Sequence, residues 1–193
     1  MKNYTALAQF FPAPTGRRMP RSRDSQRSKV YTAELKAFEG APVDLPEIED
    51  IERYIAHICS LGRVKDSFPE LERRSIIVGD GRRRRAAGGD GRGIYMPRWS
   101  RKRWVVLHEL SHTIMDRRHR NATSHGWQYA EVYLTLVRHV MGVDAHDRLK
   151  AQFKAHRVRY KAPRARKPVS PEQRAILVER MRLAREAKLQ NAA

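Results

Sequence analysis

Residues 108 to 112 read His-Glu-Leu-Ser-His. On a helix, positions four apart lie one above the other, so His108 and His112 can aim their imidazoles at one point, with Glu109 beside them. That spacing suits a metal-dependent hydrolase. A Zn2+ ion, the expected cofactor, takes histidine nitrogens tetrahedrally, keeps one position open and lowers the pKa of water to about 7. Glu109 is then the expected catalytic base, accepting a proton as water attacks a carbonyl and passing it to the leaving amine.

Such a site needs a third ligand, and three residues downstream qualify: His119, His125 and Glu131. Helical phase separates the last two. His125 continues the apolar line of Tyr129, Val132, Leu136 and Val140, whereas Glu131 shares a polar stripe with Gln128, Thr135 and Arg138. His125 is therefore the expected third metal ligand, with Glu131 and then His119 as alternatives. Tyr129, about one turn after His125, is a candidate catalytic donor to an oxyanion, set against a packing role for its ring. Asp116, one turn after His112, is a candidate acceptor for the second N–H of that imidazole.

These residues need helices to hold them. Trp104, Val105, Val106, Leu107, Leu110 and Ile114 predict a buried helix from about Arg101 to about Asp116, opened by Pro97 and Ser100. A following helix is expected to run to Met141 and stop at Gly142. Upstream, Asp24 is an expected N-cap for a short helix through Val30, Ala33, Leu35 and Phe38, ending before Gly40. Ile48, Ile51, Ile55, Ile58 and Leu61 predict a second, closed by Gly62. Ser75–Val78, Ala86–Ala87 and Ile94–Met96 read as two or three short strands. A short helical piece is expected around Leu149–Phe153, and Ser170-Pro171-Glu172-Gln173 is a capping box for a final helix.

The bulk properties frame the site. A chain of 193 residues with 40% hydrophobic content can bury a core as one domain with tails. Forty Lys and Arg against 21 Asp and Glu give a net charge of +19, which favours polyanionic partners, nucleic acid first. Much of that charge lies near the ends, where a disordered arm would carry it equally well; the basic C-terminal helix is open to docking on a partner, on nucleic-acid phosphates or on an anionic membrane surface, or to packing on its own domain. Arg82–Arg85 is either a solvated hairpin loop or an anion-recruiting patch. The single cysteine, Cys59, excludes an intrachain disulfide framework or a cysteine zinc ribbon. No run approaches the roughly 20 apolar residues of a membrane span, and no signal-peptide core is seen, so a cytoplasmic protein is expected, in a host cytoplasm if phage-encoded.

Val106-Leu107-His108-Glu109-Leu110-Ser111-His112, a variable loop, and His125-Gly126 followed by Trp127 and Tyr129 resemble the SprT-like zincin metallopeptidases. They resemble more closely the small zincin-type metallohydrolases of actinobacteria and their phages, as do Asp24–Arg27, Val30–Glu34 and Gly91–Pro97. The resemblance covers roughly residues 24 to 145. It implies an α+β, minimal zincin-like domain, helices packed on a small two- to three-stranded sheet, with an edge strand around Ala86–Gly93 holding an extended peptide by strand addition. Tyr129 stands where that neighbourhood often has phenylalanine, and the zinc ribbon of some SprT-like proteins is missing. The expected organisation is a disordered basic arm at 1–23, the metallohydrolase domain at 24–153, a basic linker at 154–169 and a basic helix at 170–193. The expected function is a zinc-dependent peptidase acting on protein or peptide, its substrates including nucleic-acid-associated proteins. Two alternatives stand beside it: a basic nucleic-acid-binding protein with a structural zinc site, and a repressor-cleaving phage peptidase with Glu131 as third ligand.

Overall fold

The computed structural model describes residues 24–72, 74–119, 121–163 and 170–190. The expectations for the arm at 1–23 and for linker residues 164–169 lie outside these. Among the described residues the fold is α+β, with seven α-helices and a three-stranded mixed sheet. Chain order is α1 (Arg27–Ala37), α2 (Ile48–Ser60), α3 (Gly62–Ser67), β1 (Ile77–Gly79), β2 (Gly88–Gly89), β3 (Gly93–Tyr95), α4 (Arg103–Arg118), α5 (Trp127–Met141), α6 (Val143–Ala155) and α7 (Pro171–Gln190). Among the described residues no helix is long and apolar enough to cross a membrane.

Helix α4 is the centre of the first compact unit, which runs to Ala162. Ten of its side chains are buried, from Val105 to Met115 with only His112 partly open in that span. Leu107, Leu110 and Ile114 join one apolar cluster with Tyr133, Leu136, Leu149 and Phe153 of α5 and α6. Val105 and Val106 join a second, with Ile51 and Ile55 of α2 and Ile94 of β3. Each such fully buried aliphatic side chain contributes about 1.5–3 kcal/mol. Polar groups on α4 thus lie in an environment that tolerates them only with partners.

The sheet is small and held by glycine. Its order is β1-β3-β2, with β1 parallel and β2 antiparallel to β3. A Cβ on Gly93 would lie 2.0 Å from the Ile77 carbonyl oxygen, and one on Gly89 would lie 2.2 Å from the Glu109 carbonyl oxygen. The second contact moves the edge strand from the expected Ala86–Ala87 to Gly88–Gly89, where the backbone can lie directly against α4. Arg117, near the end of α4, fastens the other side by donating to the carbonyls of Gly91, Glu70 and Arg74, each at 3.0 Å.

Several boundaries differ from expectation for local reasons. The buried stripe of α1 is Val30, Ala33, Glu34 and Ala37, spaced i, i+3, i+4, i+7, so Leu35 falls out of phase and is 62% exposed. Gln26, not Asp24, occupies the N-cap position. Gly62 begins α3 instead of closing α2, because Leu61 adopts an extended backbone and its carbonyl accepts from Val64 and Lys65. Helix α4 starts at Arg103, after a turn at Arg98–Ser100 in which the Ser100 hydroxyl donates to the Pro97 carbonyl at 2.7 Å. Helix α6 extends well beyond the expected Leu149–Phe153. The basic stretch expected as linker from 154 begins within α6, and Val158 is buried against the core. In the second unit, Ser170 and Gln173 cap α7 reciprocally, at 3.2 and 3.3 Å, and its apolar residues Ile176, Leu177 and Met181 are exposed.

One buried cation joins three segments. Arg101, 2% exposed, donates to the carbonyls of Met96 (3.1 Å) and Pro46 (2.5 Å) and pairs with Asp80. Arg101→Met would strand those acceptors, and unfolding in urea should show a loss of about 3 kcal/mol; an unchanged midpoint would contradict this bracing role.

Candidate metal centre

Three histidines meet where α4 faces the loop before α5. One nitrogen from each of His108, His112 and His125 lies within 4.8 Å of the others, and the Nε2 atoms of His108 and His112 are 3.2 Å apart. Two nitrogens bound at about 2.1 Å to one tetrahedral ion sit about 3.4 Å apart. These three residues could hold a metal ion. His108 and His112 arrive together because they are one turn apart on α4. His125 arrives through a turn in which the Gly126 N–H bonds to the Thr123 carbonyl at 3.0 Å, before α5 starts.

Two carboxylates orient the imidazoles. Glu34 Oε1 lies 2.5 Å from His108 Nδ1, and Asp24 Oδ2 lies 2.6 Å from His125 Nδ1. Each neutral imidazole donates its Nδ1–H to the carboxylate, which leaves the Nε2 lone pair directed at the centre. His125 Nε2 is buried without a hydrogen-bond partner. Converging lone pairs in a buried pocket repel one another, and a cation relieves that repulsion. The donor set therefore fits a divalent metal.

Electrostatics favour the neutral form at His125 and the protonated form at His108. Burial pushes His125 down to about 4, against the opposing pull of Asp24, so it stays neutral in neutral solution. Burial also disfavours protonation of His108, but the Glu34 carboxylate outweighs it and the net shift is upward. Glu109 is 6% exposed and outside the histidine cluster. Burial raises its carboxyl, partly offset by His108, while the Gly89 N–H donates to it.

His112 and His125 open into a cleft of about 220 Å³, walled on one side by Ala87, Gly88 and Gly89 and on another by Thr123 and Ser124. Because β2 is an edge strand, its backbone borders this cleft. Tyr31 also lines it, 37% exposed, with ring centroids 5.5 Å from His108 and 5.3 Å from His125. Arg27, one turn earlier, faces the phenol. Burial raises the Tyr31 phenol pKa and Arg27 pulls against it.

Glu131 and His119 lie outside the histidine cluster, and Tyr129 packs against it. Tyr129 is fully buried, stacks on His112 at 4.6 Å, and donates its hydroxyl to the His108 carbonyl at 3.4 Å. The donor expected in the cleft is thus turned to the α4 backbone, because the neighbouring helix offers a carbonyl to a phenol that would otherwise be buried unpaired. Asp116 lines the cleft and accepts from the Gly91 N–H at 3.2 Å. Glu131 is exposed on α5 and outside the cluster, and His119 is exposed at the cleft rim. On the β1–β2 loop, Arg82–Arg85 are exposed, with Arg84 over the Tyr95 ring at 4.1 Å.

Asp24, Glu34 and Tyr31 were not assigned to the site from sequence. Glu34 carried a signal, an acid in phase with the buried stripe of an amphipathic helix. Asp24 reads in the sequence as a helix N-cap, whereas its carboxylate accepts from His125. Tyr31 had no distinguishing sign.

No protein-family profile, curated protein or solved structure matches this chain.

Replacing either orienting carboxylate, Asp24→Asn or Glu34→Gln, should weaken metal affinity about 10- to 100-fold with helix content retained. Competition against a chromophoric chelator measures this, and undiminished affinity in both variants would remove their orienting role.

Proposed function

We propose that this protein is a zinc-dependent hydrolase of peptide bonds, with His108, His112 and His125 as metal ligands and Glu109 as general base. The observation that carries the reading is the convergence of three imidazoles beside a buried carboxyl group in a cleft bordered by an edge strand. Three neutral nitrogens with a fourth position open suit zinc better than the oxygen-seeking cations. Bound zinc supplies Lewis acidity, polarising a carbonyl and acidifying water.

The chain's own groups account for the remainder. Glu109 takes the proton of the attacking water at its carboxylate and returns it to the departing amine; its raised pKa suits a group that must do both. The Gly89 N–H fixes the orientation of that carboxylate. Asp24 and Glu34 hold His125 and His108 in the ligating tautomer. The β2 edge offers backbone groups to an extended peptide, and its glycines let that peptide approach closely.

Glu109→Gln should retain stoichiometric zinc and lose about 10²- to 10⁴-fold in cleavage rate, whereas His125→Ala should lose the metal. Proteomic comparison of cells expressing wild type and Glu109→Gln would identify substrates; identical peptide profiles would overturn the hydrolase reading, and full zinc retention in His125→Ala would overturn the ligand set.

A second reading, a nucleic-acid-binding protein with a structural zinc site, is favoured by one observation. The four exposed arginines at 82–85 have Asp80 beside them, but Arg82 (2.5 Å) and Arg101 both pair with it, so the loop's positive charge is largely uncompensated. Under this reading, duplex DNA binding weakens steeply with salt, and replacing the four arginines with serine lowers the log–log salt slope by about 3 to 4. A slope unchanged by the replacement would exclude this loop as the contact.

A further inference from the structure

We propose that Tyr31 is a catalytic residue, its phenol O–H donating a hydrogen bond to the scissile carbonyl oxygen as that oxygen becomes negative. This rests on the hydrolase reading above. Three tyrosines surround the histidines, and their hydroxyls differ in a way that singles out one. Tyr129 donates to the His108 carbonyl and Tyr133 to the Trp104 carbonyl, at 3.4 and 3.3 Å, and both rings are fully buried. Their protons have acceptors away from the cleft, the His108 carbonyl for Tyr129 and the Trp104 carbonyl or Glu34 carboxylate for Tyr133.

Tyr31 alone of the three lines the cleft. Its neighbour Arg27 stands one helical turn away on α1 and lines the same cleft. A guanidinium has donors and no acceptor, so toward Arg27 the phenol oxygen can only accept. The phenol proton is consequently left to point elsewhere, and the cleft is the open direction. Its ring stands 5.5 and 5.3 Å from two of the ligand imidazoles, it lines the cleft together with Glu109, and the Glu109 charge acts on its phenol. Arg27 acts as a positioning residue, holding the phenol and polarising its O–H bond.

The step balances without any further reactant. The oxygen of water forms a bond to the carbonyl carbon while Glu109 takes one water proton, and the carbonyl π pair moves to oxygen, where the Tyr31 O–H meets it. When the pair returns, the C–N bond breaks and the amine leaves with the proton from Glu109. Tyr31 keeps its own proton throughout. A donor placed where charge develops contributes to kcat and little to ground-state binding.

Tyr31→Phe tests this, since the ring and its packing on His108 and His125 are kept and only the hydroxyl is lost. Zinc content should be unchanged. On a peptide whose cleavage Glu109→Gln abolishes, kcat should fall about 10²- to 10³-fold with little change in KM. Affinity for a phosphinic dipeptide, whose phosphinyl oxygens mimic the charged tetrahedral carbon, should weaken in parallel by calorimetry. A kcat within a few-fold of wild type, or equal phosphinate affinity, would overturn the assignment. If the wild type cleaves no peptide in a Glu109-dependent way, the hydrolase reading fails by itself. The phosphinate comparison then decides Tyr31: equal affinity, or no binding by the wild type, overturns it.

Discussion

Imidazoles buried with their lone pairs facing one another need something to hold them there, and two carboxylates do so. The Glu34–His108 and Asp24–His125 pairs determine which ring nitrogen bears the proton and where the other points. Helix α1 must lie across the site for this to happen. Its packing face accordingly includes Glu34 among Val30, Ala33 and Ala37, an arrangement that would be costly for an acid without a partner. The same placement brings Arg27 and Tyr31 to the cleft, so one helix both orients the His108 imidazole and lines the cleft.

A second constraint is the burial of α4. A helix covered on almost all sides can present polar groups only where a neighbour withdraws, and β2 leaves such an opening. Gly89 has no side chain, so the strand lies against the α4 backbone there, and the Gly89 N–H reaches the Glu109 carboxylate. A larger residue at 89 would push the strand away from the helix and take that donor with it. The sheet is only three strands wide, yet its edge supplies both a backbone donor to the Glu109 carboxylate and one wall of the cleft.

How much of this can be read from sequence depends on how far apart the partners lie in the chain. His108, Glu109 and His112 are related by one helical turn, so local periodicity places them. His125 was reached by extrapolating the apolar phase of the following helix, but α5 begins only at Trp127; the turn at Thr123–Gly126 and the hold of Asp24 put the imidazole where it is. Glu34 was partly legible, since the four residues of the buried α1 stripe share one phase and Leu35 does not. Tyr129 and Tyr31 were not separable in sequence, because which phenol meets a backbone carbonyl and which meets a cleft depends on how α1 and α5 pack on α4. Helix existence followed from periodicity, whereas Gly62 misled because a stop signal for one helix is also compatible with the start of another.

These separations also imply an order of vulnerability within the site. Glu34 and His108 are 74 residues apart, Asp24 and His125 are 101 apart, and the Gln26 side chain bonds the His125 carbonyl at 2.9 Å and the Arg159 N–H at 2.6 Å, across 99 and 133 residues. His108 and His112 belong to the most buried helix, and their relative placement survives as long as α4 does. His125 is held by a short segment, Asp24 to Gln26, that lies just before α1 and bonds to chain on both sides of the core. Segments tied by a few polar contacts open more easily than a packed helix does. Opening of residues 24–26 would free the His125 imidazole while leaving His108 and His112 in place, so the integrity of the histidine cluster is coupled to how firmly residues 24–26 are clasped to His125 and Arg159.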